Sequence, residues 1–273
     1  MPNDLTTNFV GRLRAREPEA WFELWENFGP ILRAQLYRWG RGRIGAETVQ
    51  DLSQETLAAL SGAIDRHDPS RGARFSTWLL AIARHTLGDE IDRRMAQKRG
   101  SGVRPVSLED AGERHGRGPA PDMAYERDVF EAKVAAALRA AERDAGFEDF
   151  NVYRKRILEG RSGKEVALSL GTSEATVSRR LTAVRGRIRE RLFEIFSKYS
   201  FTQEEWDELP RNGLELNPTK KDEVSFDEAV AEIYHRFSRS GASSGPSNTA
   251  AGGRLFRNAH FSHSDTEVSR MSL

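Results

Sequence analysis

The side chains best suited to recognition chemistry are concentrated in GTSEATVSRRLTAVRGRIRERL, residues 171–192. Steps of three and four residues place Val177, Leu181, Val184, Ile188, Leu192 and Ile195 on one stripe of a helix. Glu174, Ser178, Arg179 and Thr182 point away from that stripe, and Arg180, Arg185, Arg187, Arg189 and Arg191 also lie off it. An arginine can donate two hydrogen bonds to the edge of a guanine, while serine and threonine hydroxyls read bases less strictly or hold phosphates. Arg179 is the expected base reader and Arg180, Arg185 and Arg187 the expected phosphate contacts, with Ser173 and Thr176 adding hydroxyls at the helix start. A short helix from Gly163 to Leu170 comes before, with Val166, Ala167 and Leu170 on its apolar side. Gly171 supplies the residue that tolerates positive φ where that helix stops. Thr172 and Ser173 are hydroxyl caps for the next helix, and Glu174 puts a carboxylate where its dipole favours one. A short helix, a glycine turn and a basic helix make the helix-turn-helix pattern for the DNA major groove. From Arg161 to Lys198 nine basic residues face four acidic ones. The competing reading is a solvated arginine face, which the short first helix and the GTS turn disfavour.

A second constellation is Asp51, Gln54 and Glu55, opposite an apolar side made by Val49, Leu52, Thr56, Leu57, Leu60 and Ile64. Paired carboxylates can do acid–base work only where a pocket buries them, and this pattern gives an exposed face instead. Solvation alone, or docking on a partner, both remain open from the spacing. His85 and Asp89 stand one helical turn apart with no further ligand near, so neither a metal nor a cofactor is expected. The chain carries no glycine-rich phosphate loop and no Ser/His/Asp order, and no enzyme is expected. The absence of cysteine excludes disulfides and thiolate metal sites and fits a reducing compartment. No run approaches a membrane span and residues 1–21 lack a signal-type apolar core, so a soluble, cytoplasmic protein without a membrane partner is expected.

The elements that must position these groups read as all-α. With 38% hydrophobic and 30% charged residues and a mean hydropathy of −0.63, the chain suits small helical modules on linkers. Pro18 opens a helix whose core face is Trp21, Leu24, Trp25, Phe28, Ile31, Leu32 and Leu36. Residues 46–64 form the helix carrying Asp51, Gln54 and Glu55. A helix from Phe75 to about Ala96 turns Trp78, Leu79, Ile82, Leu87 and Ile91 inward and ends in a basic stretch, Arg93, Arg94, Lys98 and Arg99. The division expected is a helical module over 5–96, a Gly/Pro/Arg-rich linker over 97–122, a helix-turn-helix module over 123–198 and an extension over 199–273. Between Phe201 and His235 the extension holds ten acidic and three basic residues. Its last thirty-odd residues have a disordered composition. Glu204, Glu205, Asp207 and Glu208 could shield the arginines of the basic helix; the alternatives are a solubilising tail, or one that docks elsewhere through Phe226, Ile233 and Phe237.

DLSQETLAAL at 51–60 followed by DPSRGARFSTWLLAIARHTLGDEIDRR at 68–94 resembles region 2 of the sigma-70 superfamily of bacterial transcription initiation factors. It is closest to the extracytoplasmic-function (ECF) type, whose pattern is similar to DLVQEVFLRLW and DPxRGxFxxWLxxIARNxxxDxxRR. The helix-turn-helix stretch resembles region 4 of the same proteins, where GxSxGTVxSRLxRAR is common. Two matches in the right order are more specific than either alone, and together they cover roughly residues 15–198. His85 stands where the pattern usually has asparagine, Ala175 where it has glycine, and Ser178–Arg179 reverse the commoner order. Those departures bear on the promoter sequence preferred, not on the fold.

The resemblance implies a factor that binds core RNA polymerase and promoter DNA, with no catalysis of its own. It implies that Asp51, Gln54 and Glu55 dock on the clamp coiled coil of the largest polymerase subunit. By the same resemblance, Arg74, Phe75, Trp78, Arg84, His85, Arg93 and Arg94 face the minus-ten element, where a base of the non-template strand is flipped out. Trp78 shares the stripe of Leu79 and Ile82, so a core role competes for it. The helix carrying Arg179 would enter the minus-thirty-five element. An anti-sigma factor or other regulator acting on the extension is a further possible partner. A free-standing helix-turn-helix regulator, or a sigma-like adaptor between proteins, are the rival functions; the DxxQE face and the WLLAIAR helix weigh against the first and the intact basic helices against the second.

Overall fold

The computed structural model describes residues 4–40, 44–66, 73–99, 123–217 and 223–242. In chain order its helices are α1 (Asp4–Arg14), α2 (Pro18–Gly40), α3 (Ala46–Ala63), α4 (Phe75–Arg99) and α5 (Met123–Ala145). They continue as α6 (Phe147–Tyr153), α7 (Gly163–Ser169), α8 (Glu174–Tyr199), α9 (Gln203–Arg211) and α10 (Glu223–Ala242). Among the described residues there is no strand, in agreement with the all-α expectation. Most of the expected linker, residues 100–122, lies outside the described residues, as do 218–222 and the C-terminal 243–273.

The local signals explain where the helices start. Pro18 is the first residue of α2, where its missing N–H would have had no partner. Ser162 and Glu165 form a reciprocal capping box on α7, and the backbone N–H of Glu165 donates to Ser162 Oγ at 3.2 Å. Gly171 has φ 60°, so the turn into α8 uses the left-handed conformation that glycine alone adopts without cost. Replacing Gly171 with alanine is expected to cost about 1–2 kcal/mol in a urea unfolding titration. Ser173 then caps α8, its Oγ accepting from the Thr176 N–H at 3.1 Å.

Two sets of helices build the core. In the first, α2, α3 and α4 pack together through Leu24, Phe28, Leu32, Leu52, Leu60, Leu79 and Ala83. The buried stripe of α4 is Phe75, Leu79, Leu80, Ala83 and Leu87, which leaves Trp78, Ile82 and Ile91 half-buried at its flanks. The expected stripe picked the bulkiest residues; packing instead selects the alanine that lets the neighbouring helix approach. In the second set α5 is central and buried on nearly every side, its run of alanines from Ala132 to Ala141 lying against α8. All six residues of the expected α8 stripe are buried.

The two sets share a seam. Thr6 of α1 donates its hydroxyl to the Ser197 carbonyl of α8, and α2 lies against α5. Tyr199 stands at the centre, its ring 5.0 Å from Phe9, 4.9 Å from Phe28 and 5.6 Å from Phe75. Phe201 closes the cluster at 5.4 Å from Phe75. The acidic extension also folds onto this body: α9 begins at a capping box made by Thr202 and Glu205, and α10 buries Phe226, Val230 and Ile233.

Candidate functional site

α3 presents Asp51, Gln54 and Glu55 to solvent together, because Leu52, Ser53, Thr56 and Leu60 face the core from the other side. Of the expected DNA contacts on α4, Trp78, Arg84, His85, Arg93 and Arg94 are exposed or half-exposed. His85 Nδ1 lies 3.0 Å from Asp89, a pair within one helical turn. Glu90 is buried and bracketed by Arg93 and Arg94, and Arg94 also donates to Thr48 Oγ1 at 2.7 Å. That arrangement pins the end of α4 to α3 while the two guanidiniums stay partly in water.

The start of α4 is different. Phe75 is 0% exposed, inside the aromatic seam, so in this arrangement its ring meets protein on all sides and cannot contact a base. The Arg74 guanidinium is held between Glu126 of α5, at 3.4 Å, and Glu208 of α9. Ser76 donates to both carboxylate oxygens of Glu126, at 2.7 and 2.8 Å. Burial raises the Glu208 carboxyl above its ordinary value, against the opposing pull of Arg74 and Lys133. Expected as DNA contacts, Arg74 and Phe75 are therefore packed against acidic and aromatic side chains of later elements.

On α8 the N-terminal half is open. Ser173, Glu174, Ser178, Arg179 and Thr182 are exposed. Thr176 is half-buried and shares a hydrogen bond with Ser173 at 3.0 Å, so those two hydroxyls are engaged in capping. Arg179 leans back on its own helix, toward the Ala175 carbonyl at 3.4 Å and Thr176 Oγ1 at 3.3 Å. Arg180 meets Glu148 and Asp149 of α6 at 3.1 and 3.3 Å. Arg187 is exposed and reaches the Asp144 carbonyl at 3.0 Å. Contacts of this exposed kind contribute little, and a phosphate can replace them.

Arg185 corrects its expected role as a phosphate contact. It forms a two-pronged pair with Asp227 of α10, at 3.1 and 2.5 Å, and reaches Glu223 at 3.1 Å. Its hydrogen bond to Asp227 raises the guanidinium's pKa above its ordinary value. One turn on, Arg189 lies over the ring of Phe226 at 4.4 Å. Phe226, Val230 and Ile233 are buried under the same helix, so α10 holds Asp227 in place beside Arg185. The carboxylates of the extension that meet Arg185 are thus Asp227 and Glu223 of α10, and not Glu205 or Glu208 of α9. Glu205 and Glu208 turn toward Lys133 and Arg74, and Asp207 toward Gln203 and Arg211.

The family model for sigma-70 region 2 matches residues 24–97, the span of α2 to α4 that carries the Asp51–Glu55 face and the basic end of α4. This segment of the chain is thus similar to region 2 of sigma-70 proteins. Over 72 residues the chain is 46% identical to a probable RNA polymerase sigma-C factor of Mycobacterium bovis and to the ECF RNA polymerase sigma factor SigC of Mycobacterium tuberculosis. Each match covers 26% of this chain and 37% of the relative, so the chain spans a little over a third of the length of the curated relatives it matches. Among the described residues no helix is long and apolar enough to cross a membrane.

The polar seam that joins residues 24–97 to the rest of the described body has no local sequence signature. Lys133 and Glu205 form an ion pair at 3.0 Å with both side chains 1% exposed. Lys198 and the Tyr199 hydroxyl both reach Glu23, at 2.8 and 2.9 Å. Asn27 accepts from Arg139 at 2.7 Å, and Arg38 pairs with Asp128 at 3.1 Å. Charged residues in amphipathic helices read as solvated one at a time; only their burial reveals the pairing. A usable signal was Lys133, which interrupts the apolar face of Val129, Phe130, Val134 and Ala137.

Proposed function

We propose that this chain is a sigma factor that binds core RNA polymerase and directs it to selected promoters, with no covalent catalysis of its own. The observation that carries the reading is the region 2 match on a segment whose polar Asp51–Gln54–Glu55 face is open and whose next helix is basic. In this reading residues 5–96 are the region 2 module and 123–198 a region 4-like module, joined through 97–122. Asp51, Gln54 and Glu55 dock on the clamp coiled coil of the largest subunit. Arg84, His85, Arg93 and Arg94 line the minus-ten DNA, with Trp78 beside them. α8 enters the minus-thirty-five element with Ser178, Arg179 and Thr182 toward the bases. The protein works in the cytoplasm, and a regulator such as an anti-sigma factor acts on residues 199–242. Run-off transcription with purified core polymerase and a promoter library tests this. Transcripts from a defined subset of promoters are expected; operator binding without transcription would replace the reading with a free-standing DNA-binding regulator.

Base reading and phosphate anchoring on α8 separate by mutation. Arg179→Ala is expected to weaken binding to the best promoter by about 1–3 kcal/mol and to relax preference at one position. Arg187→Ala is expected to weaken all sequences alike and to lower the salt slope by about one counterion. Binding titrations on matched and mismatched duplexes at several salt concentrations give both numbers.

A further inference from the structure

We propose that α9 is an autoinhibitory latch, its Glu208 carboxylate occupying, on Arg74 beside the first turn of α4, the place that a single-stranded DNA backbone takes once the latch opens. This rests on the reading of α4 as a DNA-contacting helix. Glu208 takes the Arg74 guanidinium from one side while Glu126 holds it from the other. Glu205 accepts the Phe201 N–H at 2.8 Å and the Thr202 N–H at 3.2 Å, and it also accepts the Phe75 N–H at 3.4 Å. That last contact engages the first backbone N–H of α4, a donor that no residue within the helix can satisfy. An anion is thus already in place at the positive end of the helix, beside the arginine that would otherwise meet a phosphate.

The latch is selective. Arg84 and Arg93 farther along α4 remain exposed, as do Asp51, Gln54 and Glu55 on α3. A partner can therefore dock on α3 while Arg74 and Phe75 stay covered. Glu208 is the part that can be withdrawn without dismantling the core: its side chain keeps 19% exposure at the edge of the seam, against 1% for Glu205.

The test uses the full chain without polymerase, so its outcome is independent of whether the protein supports transcription. The probe is a fluorescein-labelled pool of random-sequence single-stranded DNA, titrated by anisotropy at low salt. Glu208→Gln is expected to bind it at least fivefold more tightly than wild type. Glu204→Gln carries the same charge change on the same helix, from an exposed position that touches neither Arg74 nor Lys133, and is expected to gain less than twofold. Adding Arg74→Ala to Glu208→Gln should erase the gain. Equal affinities for Glu208→Gln and Glu204→Gln, or a gain that survives Arg74→Ala, would overturn the latch. A second measurement stands apart from affinity: amide hydrogen exchange over residues 75–79 should quicken in Glu208→Arg and stay unchanged in Glu204→Gln. Undiminished protection in Glu208→Arg would equally reject the proposal. If the latch holds and run-off transcription fails, the sigma-factor reading falls while the intramolecular contact stands.

Discussion

Glu205→Ala is expected to destabilise the folded protein by about 3–5 kcal/mol. The reason lies in what it leaves behind. Lys133 Nζ is 3.0 Å from Glu205, with Ser200 Oγ at 3.4 Å and the Phe75 and Phe196 rings 5.9 and 5.4 Å away. With the carboxylate gone, the ammonium group loses its direct partner in an aromatic interior and keeps only the weaker attraction of Glu208, itself engaged by Arg74. The N–H groups of Phe201 and Thr202 lose their acceptor as well, at about 1–3 kcal/mol for each that water cannot reach. Lys133→Met should cost less, because the remaining carboxylate keeps those two N–H donors. The double variant Lys133→Met/Glu205→Leu should recover part of the loss but fall short of wild type, since removing both charges does not restore the cap. Urea unfolding of the four proteins orders them. A Glu205→Ala midpoint within 1 M of wild type would mean that water reaches the pair and that the seam is looser than its burial implies.

The unequal legibility of the chain has physical causes. α8 was readable to the residue: its apolar stripe has the period of a helix, Gly171 sits where φ is positive, and Ser173 is the cap. These are local signals, set by residues within one or two turns of each other. The Asp51–Gln54–Glu55 face was readable for the same reason. The seam was not, because nothing near Phe75 in the chain tells that its ring will meet Tyr199 and Phe201. Arg185 was misjudged likewise: it stands off the stripe as a solvated arginine does, and only Asp227, forty-two residues on, gives it a buried partner. The extension looked like an acidic tail because acidic residues outnumber basic ones. Its Phe226, Val230 and Ile233 at steps of four and three were the truer signal, since an apolar stripe on a helix must be covered by something.

That cover has a consequence for how α8 meets DNA. With Arg185 and Arg189 held by α10, the exposed edge that the proposed reading gives to DNA runs from Ser173 to Thr182 and then Arg187. Phosphate anchoring must come from residues beyond α8 or from its exposed arginines. The carboxylates of α10 therefore narrow the basic surface rather than neutralise it, and the positions proposed to read bases, Ser178, Arg179 and Thr182, stay exposed.

The remaining large effect is expected on the exposed face of α3. The double variant Gln54→Ala/Glu55→Lys should lose association with core RNA polymerase, with affinity falling by about 2–5 kcal/mol, or roughly 30- to 4,000-fold. Gln54 and Glu55 are exposed on α3, while the residues that hold that helix in place, Leu52, Ser53, Thr56 and Leu60, lie on its other face. Changing the pair should leave the fold intact, and stability should move by no more than about 0.5 kcal/mol. A lysine at position 55 puts a cation where the proposed partner surface has met a carboxylate, so the charge reversal adds repulsion to a lost contact. DNA binding by α8 is the internal control: the full-length double variant should bind promoter duplex as wild type does, because α3 makes no part of that edge. Capture on immobilised core polymerase, with the wild type competing in the same sample, reads the effect directly. Capture of the double variant at the wild-type level would show that α3 is only a solvated face and that the polymerase-binding surface must be sought elsewhere on the chain.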